Sequence, residues 1–202
     1  EGFVRPAKLR APEGEPQEIE ALGHALTKAE KPYVAIVGGA KVSDKIELIE
    51  NFMNLADTIL IGGAMAYTFL QAKGIATGKS LVERDKIDLA KELLANAAKK
   101  GVRFELPVDH VVAAGLNSTD SRIVAIEETP ADMMGLDIGP ATVRLYAERI
   151  ASAKTIVWNG PMGVFENPLF NSGTFAVAHA VADSHAFSIV GGGDSAAAVI
   201  QA

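Results

Sequence analysis

The sequence predicts an α/β protein in which a mostly parallel sheet lies between two layers of helices. Short apolar runs rich in Val and Ile alternate along the chain with longer segments whose apolar residues recur every three to four positions. Four of these runs lead directly into glycine-rich turns, as parallel strands do where the crossover helix of a β-α-β unit begins. Together these observations indicate a three-layer, Rossmann-like fold with helices on both faces.

The amino-terminal part of the chain is predicted to be a linker or arm. Residues 1–17 contain three prolines and many charges but few apolar residues, a composition typical of such segments. Ile19, Leu22 and Leu26 have helical spacing and predict a short helix. We therefore expect one domain over residues 18–202.

The first half of this domain is predicted to consist of strand–helix units. Ser43 or Asp44 is in position to cap the first long helix, and Gly101 is a typical residue to end the third. In order, the expected elements are strand 33–37, a helix near 44–55, strand 58–62, helix 64–73 and helix 84–100.

The second half adds a predicted hairpin at the edge of the sheet. Gly139 and Pro140 are typical of a helix start. The chain ends at Ala202, soon after its last helix begins, so we expect a domain truncated at its C-terminal end. In order, the expected elements are strand 103–108, strand-like runs 110–113 and 122–126, helix 140–152, strand 155–158, helix 173–182, strand 186–190 and a helix from 194.

The amino-acid composition limits which partners and which chemistry the protein can be expected to have. Apolar residues make up 49% of the 202 residues, enough for a large core, and the formal charge is −6. That charge gives no reason to expect nucleic acid or an anionic membrane as a partner. The absence of cysteine excludes disulfides and thiolate chemistry. The sequence has no long apolar span and no signal-peptide pattern, which is compatible with the cytoplasm, where we expect this protein to be. As a separate expectation, we predict a monomer.

The four glycine-rich turns predict a binding rim. They lie in segments 33–41, 58–65, 155–162 and 187–195. Ligands of open α/β sheets bind beyond the carboxyl ends of the strands, where glycine lets a phosphate approach and a helix start offers free N–H groups. A single such turn is weak evidence, because tight packing also requires glycine. Four of them favour a polyphosphate.

Two lysines follow the first of these turns. Lys41 lies in the turn and Lys45 is placed about one helical turn later. Cations oppose the dipole preference of a helix N-terminus, so the pair is best explained by an anion held between them. The alternative is a pair of solvated surface lysines.

Two other turns carry acidic residues with alternative interpretations. Asp194 follows three glycines and is either a helix cap or a Mg²⁺ ligand; the extra glycines favour the ligand. After Trp158, which we assign to the core, Asn159 is either a turn residue or a phosphate contact. Glu166 is either a surface acid or an acceptor for ribose hydroxyls.

Two other patterns are rejected as sites. Segment 74–80 resembles a Walker A loop but has three residues between its glycines instead of four, and it follows a predicted helix. The histidines His24, His110, His179 and His185 lack metal-ligand spacing, so we predict no zinc site and assign them to the surface or to a satisfied core.

Five segments of the chain, taken in order, resemble the phosphoglycerate kinase family. They are GGAKVSDKI, IGGAMAYTFL, LPVD, WNGPMGVFE and GGGDSAAA. The resemblance is to its C-terminal, nucleotide-binding domain and runs from about residue 18 to 202. It implies reversible phosphoryl transfer between ATP and the carboxylate of 3-phosphoglycerate in glycolysis, with ATP or ADP and Mg²⁺ bound by this half.

The resemblance also implies roles for individual residues. Lys41, Lys45 and Gly193 are the expected catalytic group, with Lys41 on the phosphates and Lys45 following the transferred group. Asp194 would bind Mg²⁺. The other implied nucleotide contacts are Gly38, Gly39, Ala40, Gly62, Gly63 and Ala64, the apolar Leu81, Leu136, Pro161 and Val164, then Asn159 and Gly160 near the phosphates, Glu166 on the ribose and Ser195 through its backbone N–H.

Some features depart from the family pattern. The family often has Gly in place of Ala64 and Thr in place of Ser195, and residues 4–17 do not match its interdomain segment. The family's other domain, with its acid-substrate site, and its last glycine-rich turn are not in this sequence. Two alternatives stay open: a dinucleotide-dependent oxidoreductase, disfavoured because no turn reads G-x-G-x-x-G, and a non-enzymatic fragment that binds ATP.

Overall fold

The computed structural model describes residues 29–202, which form alternating strands and helices. In chain order these elements are β1 (Tyr33–Val37), α1 (Ile46–Leu55), β2 (Thr58–Ile61), α2 (Met65–Ala72), α3 (Ile87–Lys99), β3 (Arg103–Glu105), β4 (Asp109–Ala113), β5 (Arg122–Ala125), β6 (Met134–Ile138), α4 (Pro140–Ala151), β7 (Thr155–Asn159), α5 (Ser172–Asp183), β8 (Phe187–Gly191) and α6 (Gly193–Gln201). The predicted arm over 1–17 and the helix at Ile19–Leu26 lie outside the described residues.

A five-stranded parallel sheet organises the molecule, with strand order β3-β2-β1-β7-β8. Its central strand, β1, is buried at every position and pairs with β2 on one side and β7 on the other. A parallel strand covered on both faces is expected to read as a continuous apolar run, which is the pattern of residues 33–37.

Helices cover both faces of this sheet. Alternate side chains of β1 separate into two cores: Ala35 and Val37 pack with α1, α2 and α3, whereas Val34 and Ile36 pack with α4 and α5. Trp158 is fully buried in the second core, as predicted. The predicted three-layer α/β architecture is confirmed.

The first helix begins later than predicted and without the expected cap. It starts at Ile46, and neither Ser43 nor Asp44 caps it through its side chain. The Ser43 hydroxyl and backbone N–H both donate to the Glu83 carboxylate instead. Because the Ser43 hydroxyl is bonded to a residue 40 positions away in sequence, local capping rules could not predict where α1 begins.

The predicted edge hairpin is only partly right. Strands β4 and β5 do pair antiparallel, but they belong to a separate three-stranded sheet in the order β5-β4-β6, not to the edge of the parallel sheet. The prediction missed β6, and it extended β3 three residues beyond Glu105. Gly135 and Asp137 interrupt the apolar pattern of β6, which explains why it did not read as a strand.

The other boundaries agree closely with the sequence. Helix α3 is followed by Gly101 at φ +70°, and α4 begins at Pro140. Within residues 29–202, no helix is both long enough and apolar enough to cross a membrane.

Candidate functional site

The carboxyl ends of four parallel strands meet at one edge of the sheet. Val37 at the end of β1 lies in register with Ile61 of β2 and with Asn159 of β7, and Asn159 in turn lies beside Gly191 of β8. The four glycine-rich turns therefore emerge side by side. We call this edge the rim.

The first three turns are hydrogen-bonded to one another. The N–H of Gly39 donates to the Pro161 carbonyl at 3.1 Å, and that of Gly63 donates to the Met162 carbonyl at 2.9 Å. A Cβ at Gly63 would overlap the Gly39 carbonyl, and one at Gly38 would overlap that of Pro161. Packing between the turns therefore accounts for the absence of side chains at Gly38 and Gly63.

The fourth turn is different. A Cβ at Gly193 would meet no atom within 4 Å, so this first residue of α6 faces open space at the rim. Ser195, two residues further along the chain, is buried, and its hydroxyl accepts the N–H of Gly160 at 2.6 Å. The Ser195 side chain thus joins the third and fourth turns.

Lys45 is drawn into the rim. It immediately precedes α1, and its ammonium group donates a hydrogen bond to Asn159 Oδ1. Burial lowers the pKa of Lys45, while the negative charges of Asp44 and Asp194 act in the opposite direction. The structure therefore brings Lys45, Asn159 and Asp194 together, whereas Lys41 is exposed and has no hydrogen bond or ion pair with another residue of 29–202.

A cavity of about 430 Å³ opens beside the rim, between the parallel sheet and the small antiparallel sheet. Its size is within the range of small-molecule sites. Leu136 on its wall is almost fully buried, while Leu81 is 48% exposed at its mouth. The residues singled out from sequence that line it are Gly39, Ala40, Gly63, Ala64, Leu81, Leu136, Pro161, Val164, Glu166 and Asp194.

The remaining residues singled out from sequence do not line this cavity. Gly38, Gly62 and Gly160 pack closely against neighbouring turns, where a Cβ at any of them would overlap other atoms. Lys45 is hydrogen-bonded to Asn159 and lies close enough to Asp194, which lines the cavity, for the charge of Asp194 to act on its pKa. The full set outside the lining is Gly38, Lys41, Lys45, Gly62, Asn159, Gly160, Gly193 and Ser195.

Sequence reasoning missed the polar inner wall of the cavity. Tyr67, His110 and Asp137 all line it and are all nearly fully buried. The Asp137 carboxylate accepts the N–H of Gly173 at 2.7 Å and that of Ile138 at 2.9 Å. Burial nevertheless raises its pKa to about 7, with those two hydrogen bonds acting in the opposite direction. The charged residue within an apolar run at 134–138 was the signal that could have drawn attention to it.

A larger groove of about 720 Å³ lies at the opposite, amino-terminal edge of the sheet. Its three cations are already paired: Lys31 with Asp57 at 3.0 Å, and Arg103 and Arg149 with Glu105 at 3.9 Å and 3.2 Å. Since open parallel sheets bind ligands at their carboxyl edge, the rim and its cavity are the stronger candidate.

Fold and rim together define a class: α/β proteins whose ligand site lies across the carboxyl ends of a parallel sheet. The family model for phosphoglycerate kinase matches residues 16–202. The chain belongs to the phosphoglycerate kinase family.

Relatives and solved structures agree with this assignment. The chain is 58% identical to the phosphoglycerate kinase of Clostridium botulinum (strain Alaska E43 / Type E3) over 183 residues, 91% of this chain and 46% of the relative. It is 58% identical over 190 residues to that of Acidobacterium capsulatum, covering 92% and 47%. The structure of phosphoglycerate kinase from Coxiella burnetii matches with a TM-score of 0.87 and 47% identity, over 92% of this chain and 48% of that one. The chain therefore spans about half the length of these proteins.

Proposed function

We propose that this chain is the nucleotide-binding half of a phosphoglycerate kinase. The whole protein would transfer the terminal phosphoryl group of ATP reversibly to the carboxylate of 3-phosphoglycerate. The observation that carries this proposal is the placement of Lys45, Asn159 and Asp194 at the edge of a mostly apolar cavity.

The two regions of the site suit the two ends of a nucleotide. The apolar side chains Leu81, Leu136 and Val164 offer a surface for the base. Glu166 is exposed at the same cavity and is placed to accept hydrogen bonds from ribose hydroxyls. We assign Ala64 and Pro161, which also line the cavity, to the base as well.

The phosphates would lie along the rim. Lys41 and Lys45 supply positive charge, and Gly193 places the free N–H groups at the start of α6 in open space. The amide nitrogen of Asn159 would donate a hydrogen bond to a phosphate oxygen, while its Oδ1 accepts from Lys45. Gly38, Gly39 and Ala40 would line the nucleotide, and Gly62 and Gly63 would flank the base together with Ala64. Gly160 would lie near the phosphates, and Ser195 would donate its backbone N–H to them.

The residues fit a magnesium ion held jointly with the nucleotide. Asp194 is a single exposed carboxylate, and residues 29–202 contain no cluster of three or more His, Asp or Glu side chains that could hold a metal unaided. Mg²⁺ on nucleotides commonly takes one or two carboxylates plus phosphate oxygens. When bound, it would neutralise phosphate charge.

The proposed chemistry is direct transfer. A carboxylate oxygen of 3-phosphoglycerate attacks the γ-phosphorus, the bond from that phosphorus to the β,γ-bridging oxygen breaks, and ADP leaves with the electron pair. Phosphoryl transfer requires positioning and charge stabilisation more than covalent catalysis by the protein. Lys45 would stabilise the moving phosphoryl group, whereas the site for 3-phosphoglycerate belongs to a part of the enzyme outside this chain.

The proposed partners are therefore small molecules, in a monomeric cytoplasmic enzyme. The net charge of −6 does not favour nucleic acid or an anionic membrane.

Calorimetric titration of the 202-residue chain with Mg-ADP tests the proposal. We expect saturable binding that weakens with added salt, because exposed charges are screened over about 10 Å at 0.1 M. Asp194→Ala should weaken binding, while Asp120→Ala, which removes an exposed acid outside the site, should not. No binding at millimolar Mg-ADP would contradict the proposal, and saturable NADH binding in its place would favour the oxidoreductase alternative.

A further inference from the structure

A chain of buried hydrogen bonds forms the inner wall of the cavity. Tyr67 of α2 contacts His110 of β4, with 2.9 Å between the Tyr67 hydroxyl and Nδ1. His110 Nε2 lies 2.8 Å from the hydroxyl of Thr129, and that hydroxyl donates to the Ile126 carbonyl at 2.8 Å. The imidazole of His110 is therefore bonded at both ring nitrogens.

The direction of each bond follows from the number of hydrogens available. The single hydroxyl hydrogen of Thr129 goes to the Ile126 carbonyl, so toward His110 this hydroxyl can only accept. Nε2 of His110 must then carry the hydrogen. Burial lowers the pKa of His110 to about 4, with Asp109 acting in the opposite direction, so the ring is neutral near pH 7. In a neutral ring with hydrogen on Nε2, Nδ1 is an acceptor, and Tyr67 donates to it.

This contact lies directly against β6, the strand that carries Leu136. A Cβ at Gly135 would overlap the Tyr67 hydroxyl and come within 2.6 Å of His110 Nδ1. On its other side the N–H of Gly135 donates to Ser80 Oγ at 2.9 Å. Strand β6 is thus seated on the Tyr67–His110 contact at Gly135, one residue from the cavity wall at Leu136.

We infer that His110 is a positioning residue of the nucleotide site: by holding the Tyr67 hydroxyl, it seats β6 at Gly135 and keeps Leu136 against the bound base. The inference rests on the proposed function and assigns the site a residue that the glycine-rich turns do not contain. Its physical basis is preorganisation, since a wall already fixed in the free protein need not be ordered when the ligand binds.

Two substitutions of His110 separate this role from simple filling of the core. His110→Asn places an amide oxygen near the position of Nδ1 and keeps an acceptor for Tyr67. His110→Gln places its amide group near the position of Nε2 and leaves Tyr67 without that acceptor. We expect His110→Asn to bind Mg-ADP within about twofold of the parent and His110→Gln to bind about five- to tenfold more weakly, because a wall that loses its fixed contact must be ordered on binding.

Tyr67→Phe provides a second variant that removes the same bond without altering His110. It should weaken Mg-ADP binding as His110→Gln does. His179→Gln, a matched change at an exposed histidine of α5, should leave binding unchanged. Circular dichroism would check that each variant is folded.

Nitrogen-15 NMR of the His110 ring gives an independent signature. The parent should show a neutral ring with hydrogen on Nε2 near pH 7. Hydrogen on Nδ1, or equal Mg-ADP affinities for the Asn and Gln variants, would overturn the inference. If the parent itself does not bind Mg-ADP, the proposed function fails and the inference fails with it; if the parent binds and Tyr67→Phe binds equally well, the inference alone fails.

Discussion

At the scale of single residues, the site buries one lysine partly and one aspartate almost completely. Lys45 is partly buried beside Asn159, and burial lowers its pKa. Asp137 is almost fully buried on the cavity wall, and burial raises its pKa. In both cases the environment disfavours the charged form, which is a common property of functional sites.

The two lysines of the rim should respond differently to truncation. In a full-length phosphoglycerate kinase carrying this domain, Lys45→Ala should lower kcat much more than it raises the KM for nucleotide, because a cation needed mainly in the transition state shows its loss in kcat. The loss should be about a hundredfold, on the order of 3 kcal/mol. Lys41→Ala should affect both constants.

Steady-state kinetics, with folding checked by circular dichroism, measure this difference. A kcat for Lys45→Ala within about twofold of the parent corresponds to roughly 0.4 kcal/mol of barrier. That result would remove Lys45 from the catalytic group.

Asp137 predicts a pH dependence of stability. Its pKa of about 7 in the folded protein exceeds the ordinary value of 3.8, so between these pH values the folded state keeps a proton that the unfolded chain has released. The free energy of unfolding should therefore fall as pH rises from about 4 to 7, by at most about 1.4 kcal/mol per pH unit from this group.

Urea unfolding of the parent and of Asp137→Asn across this interval tests the effect. The Asn amide nitrogen cannot accept one of the two N–H bonds, so the variant should be less stable throughout, and the slope with pH is the informative quantity. We expect the slope to be smaller in Asp137→Asn and unchanged in Asp132→Asn, which removes an exposed acid nearby. Parallel curves for parent and Asp137→Asn would contradict the assignment.

At the scale of elements, the turns at the rim divide into two kinds. The first three are fastened to one another by backbone hydrogen bonds, whereas the fourth opens onto solvent at Gly193. In the first three turns glycine therefore lets neighbouring turns pack closely, whereas in the fourth it leaves open space at the start of α6, although the four sequences look alike.

A pair of alanine substitutions should separate these two kinds of turn. Gly63→Ala places a Cβ against the Gly39 carbonyl at a φ of +69° and should destabilise the fold by about 1–3 kcal/mol. Gly193→Ala meets open space and should change stability by less than about 0.5 kcal/mol while weakening Mg-ADP binding. Thermal unfolding and calorimetry of both variants measure the contrast; equal stability of the two would contradict it.

The elements also show what local sequence could predict. The parallel strands and their helices were predictable because each carries its own apolar periodicity. Strand β6 and the start of α1 were not, because they depend on partners distant in sequence: Tyr67 beneath Gly135, Gly173 on Asp137, and Glu83 on Ser43. The candidate site divides in the same way. The glycine-rich turns are local patterns, so they predicted the rim, whereas the buried residues of the cavity wall depend on distant partners and were not predicted.

At the scale of the whole molecule, the chain spans about half the length of the phosphoglycerate kinases it matches. We predict that the purified 202-residue chain shows no measurable kinase activity, because transfer requires both reactants held in line and the proposed acid site lies outside this chain. A coupled assay on this chain and on a full-length enzyme measures the difference. Turnover by the chain alone, with contaminating enzyme excluded, would contradict the prediction.

The mutual packing of the first three turns affects how sequence variation at the rim should be interpreted. A mutational scan scored by activity alone would mark Gly38 and Gly63 as essential, and a reader would place them against the nucleotide. Their intolerance would report assembly of the sheet edge whether or not they also line the nucleotide, since each is confined by the backbone of a neighbouring turn. A scan that records protein abundance beside activity would separate these glycines from Gly193, where the fold imposes no such restriction.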